Sequence, residues 1–283
     1  MNFSTSGVWN KSLILRYPKD QIIKIGNLLF YKHENIYKCQ HFFDFEISDN
    51  EILQIQELID KGYKIKFNYM NDTMIKKFKN LNNCNTEFID SWDAPILILD
   101  ETPKNYFLKN DHSQIKRNYS NYVKYKENFM FYNSLNEDIL KLWNYVLTID
   151  FNSWKKEEKS DMKSLDREDL QYLPFLLTNK NDSNLVVVCE LNDQPLEYSL
   201  MFKGSEEYWY AVKWGASNIG RKQYVGFYAL FNHIEYLYNV NKNLKLDFWG
   251  RRNSTYDRIK NNIVKRSHIV LFKGDKENEN SIR

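Results

Sequence analysis

The chain has 283 residues, of which 42% are hydrophobic and 16% aromatic, including 20 Tyr, 18 Phe and 7 Trp. That much apolar material supports one large domain or two of ordinary size and excludes a chain that stays unfolded. Forty basic residues against 37 acidic ones leave a net charge of +3, which does not supply the concentrated basic face of a DNA-binding protein.

The three cysteines, Cys39, Cys84 and Cys189, are odd in number and far apart, so they supply neither a disulfide framework nor a metal-binding CxxC pair. Cys189 lies inside the apolar run Leu185–Leu191 and reads as a buried structural thiol. Met1–Ser12 carries no basic segment followed by an apolar run, and no window reaches the roughly 20 apolar residues of a membrane span. The expectation is a cytoplasmic protein with no membrane span and no metal.

In chain order, Gln21–His33 and Asn35–Ile47 read as two strands of a hairpin. Ser48-Asp49-Asn50-Glu51 supplies cap chemistry for a helix carrying Ile52, Ile55, Leu58 and Ile59 on one face, with Gly62 as its stop. A strand over Tyr63–Tyr69, a polar helix near Thr73–Leu81 and an apolar strand over Pro95–Leu99 follow. Lys104–Asn128 interleaves basic and aromatic residues. It predicts a helix between two halves, with Tyr119, Tyr122 and Val123 packed and Lys116 and Arg117 on a basic face.

In the second half, Ile139, Leu142, Trp143 and Val146 mark a helix. Lys155–Asp169 reads as a surface loop, followed by a helix through Leu177. Leu185–Leu191, Pro195–Lys203 and Tyr208–Trp214, separated by Asn192-Asp193 and Gly204-Ser205, predict an antiparallel meander. Phe227, Leu230, Phe231, Ile234, Leu237 and Tyr238 then follow helical spacing, and Leu244–Trp249 is a strand. The fold class is mixed α/β. A weak echo between Glu51–Tyr69 and Phe227–Gly250 is compatible with duplication.

Several stretches, taken in order, resemble the GNAT-like acyltransferases of the cellulose-biosynthesis-associated type, relatives of the Fem-type transferases that build peptidoglycan cross-bridges. These are Phe151-Asn152-Ser153-Trp154-Lys155, Val187–Leu191 with the turn Asn192–Pro195, Tyr208–Trp214, Gly226–Leu237, and Leu246–Gly250 leading to Asn253–Tyr256. In the first half, Ile25-Gly26 and Ser91–Leu99 resemble the family's opening and its Pro-then-apolar strand. The resemblance implies two tandem GNAT-like modules, 1–110 and 111–283, each a mixed, mainly antiparallel sheet flanked by helices. The second would carry the acyl-donor site.

It also implies acetyl-CoA or another acyl-CoA as co-substrate, with its pyrophosphate on backbone N–H groups at a helix start. The matching stretch is Arg221-Lys222-Gln223-Tyr224-Val225-Gly226. Arg221 and Gly226 fit the pattern and Lys222 adds charge. Tyr224 stands where a small residue is wanted and would crowd a phosphate. The proton and oxyanion work of acyl transfer points to Asp247, Tyr256 and Glu190, each with a structural reading beside the catalytic one. Arg117, Trp154, Lys155 and Arg251 are candidates for substrate contact. Asp257 stands where the relatives often carry Lys. His233 reads as a satisfied, partly buried histidine.

Three readings remain open: an N-acyltransferase acting on an amine of a sugar, amino acid or other metabolite; a Fem-like transferase using aminoacyl-tRNA and a cell-envelope precursor; and a non-catalytic module on the same fold.

Overall fold

The computed structural model describes residues 17–39, 47–157, 174–248 and 254–274, together with Lys11 and Ile14. The chain forms two compact units, residues 1–93 with 264–283, and residues 94–263. Along the sequence the two units change over at 93/94 and again at 263/264.

In the first unit, β1 (Ile22–Ile25), β2 (Leu28–His33), β3 (Ile36–Cys39) and β4 (Lys64–Asn71) lie side by side, followed by β11 (Asn262–Lys273) and the start of β5 (Cys84–Leu99). β1, β2 and β3 are antiparallel in turn, β3 and β4 are parallel, and β4 and β11 are antiparallel. What the sequence presents as one strand over Gln21–His33 is itself a hairpin. Gly26 takes φ +57°, a conformation that only glycine adopts at no steric cost, and reverses the chain there. Residues 40–46 of the expected second strand lie outside the described residues.

Helix α1 (Asp49–Asp60) begins as the sequence predicts. Ser48 Oγ accepts from Glu51 N, and Glu51 Oε2 accepts from Ser48 N at 2.8 Å, a complete capping box. Glu51 Oε1 also accepts from Asn27 N at 2.9 Å, so one carboxylate ties the helix start to the β1–β2 turn. Ile55 and Ile59 of α1 and Met74, Ile75 and Phe78 of α2 (Asp72–Phe78) pack with Phe30, Ile65 and Phe67 of the sheet.

A Cβ at Gly26 would run into the Glu51 carboxyl group. Gly26→Ala therefore adds backbone strain to the loss of that tie, and is expected to destabilise the first unit by about 2–3 kcal/mol. Urea unfolding measures this. A loss below about 0.5 kcal/mol, the range of an ordinary surface change, would show that the turn does not depend on Gly26.

The second unit orders its strands as the end of β5, then β10 (Leu244–Asp247), β9 (Tyr208–Ala216), β8 (Pro195–Lys203), β7 (Ser183–Cys189) and β6 (Met130–Asn133). The β7–β8–β9 meander is antiparallel, as its turn residues predict. The edge strand β6 was not foreseen: four residues beside a long helix give little periodicity to read.

The expected single helix over Lys104–Asn128 is two, α3 (Pro103–Lys109) and α4 (Ser113–Tyr125). Asn110 leaves the helical conformation, and its side-chain oxygen accepts from His112 N at 2.8 Å. Phe107, Ile115, Tyr119 and Tyr122 of this pair face the core against Leu230, Phe231 and Ile234 of a central helix, α8 (Tyr228–Val240). Helix α5 (Ile139–Phe151) leads into the short α6 (Trp154–Glu157).

Cys189 is buried, and burial pushes its thiol up to about 12, so it remains a thiol at neutral pH. No described helix is long and apolar enough to cross a membrane.

Candidate functional site

Strands β9 and β10 run parallel but pair only at Lys245 with Tyr208, Leu246 with Trp209 and Asp247 with Tyr210. Beyond this β9 continues to Ala216 while β10 stops at Asp247. Helix α8 makes the crossover between them, and the carboxyl ends of parallel strands joined in this way are where α/β sheets receive ligands.

A cleft of about 660 Å³ lies there. Trp214, Gly215 and Ala216 of β9 form one side. Tyr224, Gly226 and Phe227, between α7 (Asn218–Lys222) and α8, form another, and Tyr256 of α9 (Ser254–Ile259) a third. Arg117 of α4, Trp154 of α6 and Arg221 of α7 also line it.

The wall is aromatic. The Trp214 ring lies 5.0 Å from Phe227 and 6.3 Å from Tyr256, and Tyr256 stacks on Phe248 at 4.8 Å. Burial raises the Tyr256 hydroxyl above its ordinary pKa, so at neutral pH it keeps its proton and can donate it. Arg117 and Arg221 are exposed cations that can meet a phosphate or carboxylate at the cleft.

Of the residues singled out from sequence, Arg117, Trp154, Arg221, Tyr224, Gly226 and Tyr256 thus converge on one cleft. Lys222 is exposed on α7 beside Arg221 and is not among the cleft residues. Glu190 accepts from Gln223 Nε2, and the two residues line a separate, open depression. Asp247 is fully buried and accepts the Tyr208 hydroxyl at 2.9 Å, away from the cleft lining. The Lys155 side chain and Arg251 lie outside the described residues. His233 is fully rather than partly buried, with Nδ1 3.2 Å from Ser199 Oγ.

The start of α8 does not offer the open anion seat that the resemblance implies. Phe227 provides no side-chain cap. Three nearby amides are already engaged: Tyr224 N donates to Arg221 O at 3.1 Å, Val225 N to Gly220 O at 3.1 Å and Tyr228 N to Val225 O at 2.9 Å. Ala229 N donates to Glu197 Oε2 at 2.8 Å. Tyr224 itself takes φ +60° and is 77% exposed, projecting its ring at the cleft. The exposed Tyr224 and these engaged amides narrow the seat for a diphosphate on the helix start.

Glu197 escaped the sequence reading. It is fully buried on β8 and also accepts from Trp214 Nε1 at 2.7 Å. Burial pushes its carboxyl up to about 8, against the lowering effect of these donors. The signal available was a lone acid in the mostly apolar run Pro195–Phe202, where both strand faces are covered.

The fold resembles that of FemX. The two share a TM-score of 0.64 at 12% identity, over 96% of this chain and 94% of that one. L-PGS from Bacillus licheniformis superposes with a TM-score of 0.60 at 11% identity, over 88% and 82% of the two chains. A conserved protein from Bacteroides thetaiotaomicron gives 0.61 at 11% identity, over 96% and 92%. At these identities the likeness establishes the mixed α/β fold. No family model and no curated protein sequence matches the chain.

Proposed function

We propose that this protein is an acyltransferase, moving an acyl group from an activated carrier to an amine of a small molecule or envelope precursor, and that the cleft of the second unit is its site. On this reading the two units are two GNAT-like modules. The observation that supports it is the convergence, beyond the paired part of β9 and β10, of a proton-bearing tyrosine, an aromatic wall and two arginines.

The amine nitrogen attacks the acyl carbonyl carbon, forming the new C–N bond. The bond to the carrier breaks with its electron pair, and the Tyr256 hydroxyl gives the departing sulfur or oxygen its proton. The amine's surplus proton returns to the tyrosine oxygen through water. Arg117 and Arg221 hold an anionic group of carrier or acceptor. Trp214, Phe227 and Trp154 cover the apolar part and thin the water around the reacting carbonyl.

Acyl-CoA is one donor class under this proposal, with its phosphates on the arginines. The engaged amides at the α8 start favour a second, an aminoacyl ester carried by tRNA as in a Fem-like transferase. The donors separate by experiment. A ligand bound only by the folded protein raises the unfolding midpoint. Acetyl-CoA or aminoacyl-tRNA is expected to do so with the parent and with Gly226→Ala, because a Cβ at Gly226 meets only Ala216 Cβ at 3.9 Å. Gly226→Trp fills the cleft and is expected to abolish the rise. No rise with any donor at saturation would count against the proposal.

A further inference from the structure

We infer that Glu197 is a positioning residue for the cleft, its buried carboxyl fixing the Trp214 wall and the first turn of α8 to each other. This rests on the transferase reading for its purpose and on geometry for its substance. Glu197 sits at 0% exposure on β8, opposite Ala216 in the β8–β9 register. One oxygen takes the Trp214 indole N–H at 2.7 Å and the other the Ala229 amide at 2.8 Å.

The three elements joined are β8, β9 and α8, and the last two supply or border Trp214, Gly215, Ala216, Gly226 and Phe227 of the lining. This bond fixes the polar edge of the indole, which ring contacts by themselves orient only loosely. The same carboxyl satisfies a first-turn amide of α8, which Phe227 leaves without a side-chain cap. Glu197 therefore supplies from within the chain an acceptor for that amide.

The test separates placement from reaction. In ¹⁵N-labelled protein the Trp214 indole N–H resonance is identified as the one missing from Trp214→Phe. In the parent it is expected far downfield, as for a hydrogen bond to a carboxyl group. Glu197→Gln keeps an acceptor and is expected to retain that shift. Glu197→Leu, if its circular dichroism matches the parent, is expected to move the resonance upfield and to broaden it.

With the donor that stabilises the parent, Glu197→Leu is expected to raise KM about tenfold while Glu197→Gln stays within threefold. An indole resonance unaffected by Glu197→Leu overturns the inference. A shifted indole in a parent protein that transfers no acyl group overturns the transferase reading and leaves the role of Glu197 in shaping the cleft standing. Should Glu197→Leu fail to fold, Glu197→Gln and Glu197→Asp serve in its place. Shortening the side chain by one methylene must then disturb the indole where Gln does not, or the inference fails.

Discussion

The stability of the second unit is expected to form a plateau between about pH 4.5 and 6.5 and to fall on both sides. Two buried groups produce this. Burial holds the Glu197 carboxyl up at about 8 instead of 4.5, and holds the His233 imidazole down at about 3 instead of 6.5. Between pH 4.5 and 6.5 the folded chain keeps one proton on the pair, on Glu197. The unfolded chain also keeps one, on the histidine. Proton binding is equal, and the slope is zero.

Above 6.5 the unfolded histidine releases its proton while folded Glu197 still holds one, so stability falls as pH rises towards 8. Below 4.5 the unfolded pair holds two protons against one in the fold, so stability falls as pH drops towards 3. Each limb spans a one-proton difference over roughly 1.5 pH units and amounts to about 2 kcal/mol if fully developed. Urea unfolding followed by tryptophan fluorescence across this range measures it. Glu197→Gln is expected to abolish the alkaline fall and turn the plateau into a continued rise up to about pH 6.5, and His233→Gln to abolish the acid fall and turn the plateau into a decline from about pH 4.5. Stability that climbs from pH 6.5 to 8 in the parent would contradict the assignment.

The second large effect concerns Tyr256. As the proton-bearing hydroxyl of the cleft it is expected to contribute at the step in which the carrier leaves, where general acids typically give 10²–10⁴-fold. Tyr256→Phe keeps the ring against Phe248 and Trp214, which lie 4.8 and 6.3 Å away, so binding is largely spared. The expected result is a fall in kcat of about 100-fold with KM changed less than threefold, read from steady-state transfer kinetics. A loss expressed mainly in KM would make Tyr256 part of the wall and leave the proton to another group.

Much of this site was legible because its residues carry local signals. Arg221, Gly226 and Tyr256 were singled out by the resemblance to GNAT-like transferases, and the apolar repeat of the helix after Gly226 is plain. The capping box at Ser48 and Glu51 and the meander turns were legible for the same reason.

What escaped depends on contacts distant in sequence. Glu197 is an ordinary acid until β8 is covered on both faces and Trp214 and Ala229 arrive from 17 and 32 residues away. Asp247 alternates with Leu244 and Leu246 in a pattern that suggests an open face. In the fold, the strand is flanked by β5 and β9 and the carboxyl is covered. β11 returns to the first unit from the far end of the chain, and no periodicity in Asn262–Lys273 announces its partner.

The central claim is tested most directly by incubating the purified chain with acetyl-CoA or aminoacyl-tRNA labelled in the acyl group, together with a panel of amines bearing phosphate or carboxylate. Label is expected in an amide product with the parent and with Gly226→Ala. It should fall at least tenfold when Arg117 and Arg221 are both replaced by Ala, and disappear in Gly226→Trp. Transfer that survives Gly226→Trp would place the chemistry outside this cleft, and no transfer from either donor to any amine would contradict the acyltransferase reading itself.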